Sequence, residues 1–187
     1  MIVDRPPGWD GGTLLALGHG AGGDVDAPDI MAVRRAVLGA GGAVARITQP
    51  YRVAGRRTPA PAPQLDTAWL AVLADVAKKH PARRLIVGGR SSGARVACRT
   101  AVAASATGIV CLAFPLHPPG KPEKSRADEL LTGVPTLVIN GDRDAFGIPS
   151  PGDHVEVVVL PGETHSLNKN VSAVGAAVVG WLSALAA

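Results

Sequence analysis

The chain has 187 residues, 47% hydrophobic and 18% charged, a composition that fits one soluble globular domain with a sizeable core and excludes a low-complexity chain. Its formal charge of +4 comes from 19 basic residues scattered along the chain, with aromatics at only 3%; a nucleic-acid binder would cluster its cations and interleave rings for stacking, so that class is set aside. No run approaches the ~18 apolar residues of a membrane span and no apolar signal core opens the chain, so a cytoplasmic protein with no membrane partner is expected.

In chain order, T-L-L-A-L at Thr13–Leu17 reads as a strand that ends in Gly18-His19-Gly20-Ala21-Gly22-Gly23. A helix follows from Pro28 to Leu38, with proline in its first turn and Gly39 past its end. Ala43–Thr48 is a second strand, and Gln49–Pro63 a loop rich in proline and arginine. Leu65, Trp69, Val72, Leu73 and Val76 recur at helical spacing and mark one apolar face of a helix that stops before Pro81. Arg84–Val87 is a third strand, Ser92–Ala104 an alanine-rich helix, and Ile109–Ala113 a fourth strand. Phe114–Gly133 holds four prolines and a short helix and is the only candidate for a lid. Pro135–Asn140 and Val155–Leu160 complete the strands, and Val171, Val174, Val178, Trp181, Leu182 and Leu185 form the inner face of a last helix. Strands alternating with helices imply a parallel sheet of about six strands with helices on both faces, in one domain spanning residues 1–187. Cys98 and Cys111 lack metal-ligand or C-x-x-C spacing and read as buried thiols in a reducing compartment.

Between the third strand and the helix after it stands V-G-G-R-S-S-G-A-R-V, in which Gly89, Ser91 and Gly93 fit G-x-S-x-G. A strand before the motif and a helix after it are the context in which the serine becomes a nucleophile on a sharp turn. Glycines on either side remove side chains that would collide with that turn. A serine hydroxyl needs a base, and the base an orienting acid; with the serine on this kind of elbow, acid and then base follow along the chain. Three histidines follow Ser91. His154 precedes a strand and is expected at the opposite end of the sheet, and His117 lies in the lid candidate. His165, in G-E-T-H-S after the last strand, is the best base. Asp144 is favoured as the acid over Asp142, because two further residues let its side chain turn toward His165; Asp142 beside Gly141 suits a turn or capping role. An oxyanion hole needs backbone N–H donors, one of them from the residue after the nucleophile, Ser92, and another from the first glycine-rich loop, where Ala21 is the choice. That loop lacks the Lys-Ser/Thr of a phosphate-binding loop and the spacing of a dinucleotide fingerprint.

Five blocks resemble the small α/β-hydrolases related to the dienelactone hydrolases: H-G-A-G-G-D at His19–Asp24, G-G-R-S-S-G-A-R-V-A at Gly88–Ala97, F-P-L-H-P-P-G-K-P at Phe114–Pro122, G-D-R-D-A-F-G at Gly141–Gly147 and G-E-T-H-S-L at Gly162–Leu167. The likeness is greatest to the compact group that includes a testis-expressed protein and a subunit of a histone acetyltransferase complex. It implies Ser91, Asp144 and His165 as a triad, and a truncated α/β-hydrolase fold that starts at the third strand of larger relatives and carries no cap domain. One departure is Ser92, where Met or another larger residue is expected. The group holds complex subunits as well as enzymes, so membership alone does not establish turnover.

The leading reading is a serine hydrolase of a small ester or thioester that needs no metal or organic cofactor. A binding or scaffold module on the same fold is the alternative, and an acyltransferase using the same groups a third. Candidate substrate contacts are His19 and Gly20 beside the donor Ala21, His117 in the lid candidate, and Arg56 and Arg57 in the loop after the second strand, where a solvated surface is the simpler reading. The pattern is compatible with a homo-oligomer.

Overall fold

Short apolar runs punctuated by glycine and proline become the strands of one sheet in the computed structural model, which describes residues 1–186. The strands are β1 (Ile2–Asp4), β2 (Thr13–Gly18), β3 (Ala43–Ile47), β4 (Arg84–Arg90), β5 (Gly108–Leu112), β6 (Thr136–Gly141) and β7 (Val155–Leu160), in the spatial order β1-β3-β2-β4-β5-β6-β7. All neighbours from β3 to β7 are parallel, and β1 alone is antiparallel, against β3. Parallel neighbours require crossover connections, whose helices cover both faces and leave the central strands dry on both sides. This is why β5 and the middle of β6, Leu137–Ile139, read as continuous apolar runs instead of alternating, and why every residue of β3, β5 and β6 is buried.

The helices are α1 (Pro28–Gly39), α2 (Pro50–Val53), α3 (Ala62–Lys79), α4 (Ser92–Thr100) and α5 (Val171–Ala184). On one face α1 and α5 bury Ile30, Val33, Val37, Val174, Val178 and Trp181 against Leu15, Leu17 and Val44. On the other, α3 and α4 lay Leu65, Trp69, Leu73, Val76, Val96 and Ala97 on the sheet. Each large aliphatic side chain so buried contributes about 1.5–3 kcal/mol. Cys98 and Cys111 belong to this second cluster, with their sulfurs 3.5 Å apart.

After β2 the chain moves to β3 on one side, and after β4 to β5 on the other. Connections leaving the carboxyl ends of β2 and β4 therefore diverge, which opens a crevice at that point of the sheet edge. No helical cap is inserted over this edge among the described residues, and no helix among them is long and apolar enough to cross a membrane.

Four details depart from the sequence reading. A seventh strand, β1, is added; three residues carry too little pattern to announce it, and it is held by Asp4, which pairs with Arg34 at 2.7 Å and with Arg46 at 3.3 Å. Helix α4 ends at Thr100 rather than Ala104, the chain turning through Ser105 at φ 52°. The loop after β3 includes the one-turn helix α2. Finally, Phe114–Gly133 is clamped down: its short 3-10 helix, Ala127–Leu130, presents Glu129 to Arg95 of α4 in a two-pronged contact at 2.8 and 2.5 Å.

Candidate active site

Ser91 joins β4 to α4 with φ 51° and ψ −111°, a conformation that costs on the order of 1–3 kcal/mol for a side-chain-bearing residue. Its N–H donates to Leu112 O at 2.8 Å, which anchors the turn to β5. The flanking glycines are sterically required. A Cβ on Gly89 would lie 2.6 Å from Gly18 O, and one on Gly93 would lie 2.7 Å from the same oxygen.

Loops after β6 and β7 bring two further side chains to the serine. His165 Nε2 is 2.9 Å from Ser91 Oγ, and His165 Nδ1 is 2.9 and 3.1 Å from the two oxygens of Asp144. An ionised carboxylate only accepts, so Nδ1 carries the proton and Nε2 is left to accept from the Ser91 hydroxyl. The Asp144 carboxylate is fully buried and also accepts from Asn140 Nδ2 at 3.2 Å and from the Phe146 N–H at 2.9 Å. Phe146 stacks on the His165 ring at 4.1 Å between centroids. Asp142, by contrast, is exposed and accepts from the Gly162 N–H at 2.8 Å, closing the turn beside β7. The loop bearing His165 closes on buried Glu163, whose Oε1 accepts from the N–H groups of Lys169 at 2.8 Å and Asn170 at 2.5 Å. Here too a glycine is obligatory, since a Cβ on Gly141 would lie 2.3 Å from Glu163 O. His154 is exposed and lies just ahead of β7, at the opposite edge.

Neither Ala21 nor Ser92 donates its N–H to an acceptor among the described residues. The surroundings of Ala21 explain its orientation. His19, entirely buried, accepts the Gln49 N–H on Nε2 at 3.0 Å and therefore donates from Nδ1 to Gly20 O at 2.8 Å. In a trans peptide the carbonyl of Gly20 and the N–H of Ala21 point in opposite directions, so His19 turns that N–H away from itself. The other side of the residue is held by Tyr51, whose hydroxyl donates to Ala21 O at 3.1 Å. Burial holds the His19 pKa below its ordinary value of 6.5, which favours the neutral ring this arrangement needs. The sequence offers His19 as a substrate contact; in the fold its ring is wholly buried and both nitrogens are spent on backbone, so its polar atoms face the loop itself.

Gly20 does border the serine, a Cβ there lying 3.5 Å from Ser91 Cβ. His117 packs on the acid-bearing turn, with Nδ1 2.9 Å from Pro118 O and Nε2 so close to Gly147 that a Cβ there would lie 2.5 Å away. No hydrogen bond joins it to Ser91, Asp144 or His165 among the described residues. Arg56 and Arg57 are exposed on the turn after α2 and make no ion pair among the described residues. No group of three or more His, Cys, Asp or Glu side chains forms a metal site among them either. Sequence reasoning missed Asn140, Phe146, Glu163 and Arg90. Only Asn140 had a visible signal, a polar residue closing the apolar run P-T-L-V-I-N.

Residues 11–174 match the family description "Alpha/beta hydrolase domain". A search of curated proteins gives no match. Among solved structures, Est1E from Butyrivibrio proteoclasticus with bound ferulic acid is similar at a TM-score of 0.78 and 19% identity, over 98% of this chain and 94% of that one. An α/β serine hydrolase without lid from Xanthomonas campestris is similar at 0.75 and 23%, over 96% and 87%. A dienelactone hydrolase from Anabaena variabilis gives 0.73 and 16%, over 97% and 89%. At these identities the likeness is one of fold.

Proposed function

Because the chain belongs to the alpha/beta hydrolase domain family, we propose that it is a serine hydrolase acting on a small carboxylic ester or thioester through an acyl-enzyme on Ser91. The observation that carries this reading is the continuous chain of hydrogen bonds from Ser91 Oγ through the His165 imidazole to the buried Asp144 carboxylate. In the first step Oγ attacks the substrate carbonyl carbon while its proton passes to His165 Nε2. Asp144 keeps Nδ1 protonated and stabilises the imidazolium. The carbonyl oxygen, now negative, takes hydrogen bonds from the N–H groups of Ala21 and Ser92, with the positive end of α4 behind them. As the carbonyl re-forms, the alcohol or thiol leaves with the proton from Nε2. Water then repeats the sequence on the acyl-enzyme, releasing the acid and restoring Ser91. The blocks at His19–Asp24 and Gly88–Ala97 further support kinship with the compact group named above.

Reaction with a fluorophosphonate probe and mass mapping of the modified peptide tests the reading. Label is expected on Ser91 and not on Ser92, since only Ser91 Oγ is paired with His165. Folded protein that takes up no label, or labelling that survives Ser91→Ala, would favour a non-catalytic binding module on the same fold.

A further inference from the structure

One buried charge pair takes no part in the proton transfers. Arg90 ends β4 one residue before Ser91, and its guanidinium reaches three separate segments. Nε stands 3.1 Å from Asp29 Oδ2 at the start of α1, out of line for a hydrogen bond, so the contact is ionic. Nη2 donates to the backbone carbonyl of His165 at 3.0 Å. Nη1 faces the first glycine-rich loop, where a Cβ on Gly20 would sit 3.0 Å from it. The Asp29 side chain is wholly buried, and its other oxygen accepts from the Ile30 N–H at 3.0 Å.

We propose that Arg90 is a positioning residue for the hydrolytic site, anchored by Asp29 and holding the His165 peptide and the Gly20 turn in register with Ser91. The inference rests on the hydrolase reading above. A guanidinium is planar and carries its donors in a fixed fork, so anchoring Nε at Asp29 also sets the directions of both Nη groups. Asp144 orients the imidazole from one side; Arg90 fixes the backbone from which that imidazole hangs. In the same loop Leu167 is held at φ 45°; Asp142 ties down its start at Gly162 and Glu163 its end at Lys169 and Asn170, and Arg90 holds the peptide of His165 between them. Asp29 in turn is brought to Arg90 by Pro28 and Asp29 opening α1, so the link runs from the first crossover helix to the last loop before α5. A lysine in place of Arg90 can satisfy Asp29 or reach the His165 carbonyl, but a single ammonium does not present the fork that does both.

The experiment compares wild type with Arg90→Met, Arg90→Lys, Asp29→Asn and the Arg90→Met/Asp29→Asn double variant, using p-nitrophenyl acetate turnover, fluorophosphonate labelling rate and thermal unfolding. Arg90→Met strands the Asp29 charge, so it should lower both stability and turnover; the double variant removes that charge and should regain stability. If Arg90 positions the site, kcat and labelling rate stay low in the double variant, on the order of 10- to 100-fold below wild type with KM little changed, as expected for a base displaced by up to ~1 Å. Arg90→Lys should recover part of this loss. The low-field proton resonance of the His165–Asp144 hydrogen bond should shift or broaden in the double variant while the fold persists. Recovery of kcat together with stability in the double variant would show a merely structural ion pair and overturn the proposal. If both variants carrying Arg90→Met fail to fold, Arg90→Lys decides: wild-type kcat and labelling there would overturn it as well. A wild-type protein that takes up no label would instead overturn the hydrolase reading itself.

Discussion

Asp142 and Asp144 are the same side chain two residues apart, and their surroundings give them different work. Asp144 is dry, accepts from Asn140 and Phe146, and faces His165 Nδ1; Asp142 is wet and accepts from Gly162. Asp144→Asn can present an N–H to the imidazole and impose the wrong tautomer, so kcat should fall by roughly 10⁴-fold with the fold intact. Asp142→Asn should change kcat by less than about fivefold and cost about 1 kcal/mol of stability, the scale of one turn hydrogen bond. Steady-state kinetics and thermal melts of the two variants check this, and reversed effects would refute the assignment of the acid. His19 supplies a pH test. Its folded pKa is depressed by burial below the ordinary 6.5, so below that pH the unfolded chain takes up a proton that the folded ring resists. Its contribution to stability should be present above about pH 6.5 and be lost as pH falls through the depressed folded value. Urea midpoints of wild type should decline over that window, and His19→Gln, although less stable, should show a flatter slope. The acid-bearing turn and the first glycine-rich loop stood out in the sequence because each is marked locally by glycine at a strand end, whereas the bonds of His19 to Gln49 and Gly20 carry no such mark. Arg90 and Glu163 were not legible, since their roles lie in contacts with backbone brought near only by the fold, in the case of Arg90 and His165 across 75 residues.

At the scale of elements, Phe114–Gly133 shows how far local pattern reaches. Four prolines and a short helix suggested a lid, and nothing nearby in the sequence could reveal that Glu129 meets Arg95, 34 residues away, or that Arg99 meets both Asp66 and Glu129. The strands and helices were readable because apolar period and glycine–proline punctuation are local; β1 escaped because it is three residues long and exists only through its pairing with β3. A segment tied down by partly exposed ion pairs is expected to stay in place during turnover and not to act as a gate. Glu129→Ala should therefore lower stability by about 1 kcal/mol, or roughly 2–4 °C in Tm, and leave kcat unchanged. With no cap over the sheet edge, the same kinetics across a p-nitrophenyl ester series should show highest kcat/KM for short acyl chains in both proteins. An optimum at long chains would mean that this segment moves to cover substrate.

For the molecule as a whole, parallel topology alone says that every loop following one of the strands β2 to β7 leaves at the same edge as Ser91, which places α2 and the turn after it at the edge that carries the site. The structure strengthens that placement: Tyr51 of α2 donates to Ala21 O, and the Arg52 charge is near enough to help depress the His19 pKa. Arg56 and Arg57 follow directly, exposed and without carboxylate partners among the described residues. On a chain of net charge +4 they add to a positive field on the side of the crevice that carries the Ala21 loop. An anionic group on the substrate at ~10 Å from each would gain about 0.4 kcal/mol per arginine in water, or roughly fourfold in kcat/KM for the two together. The double variant Arg56→Ala/Arg57→Ala should thus lose about that factor for a carboxylate-bearing ester and nothing for its neutral counterpart. Raising salt well above physiological strength should shrink the difference, because exposed charges at this separation lie near the screening length. Equal effects on both esters, or a loss indifferent to salt, would leave Arg56 and Arg57 as solvated surface residues with no part in substrate choice.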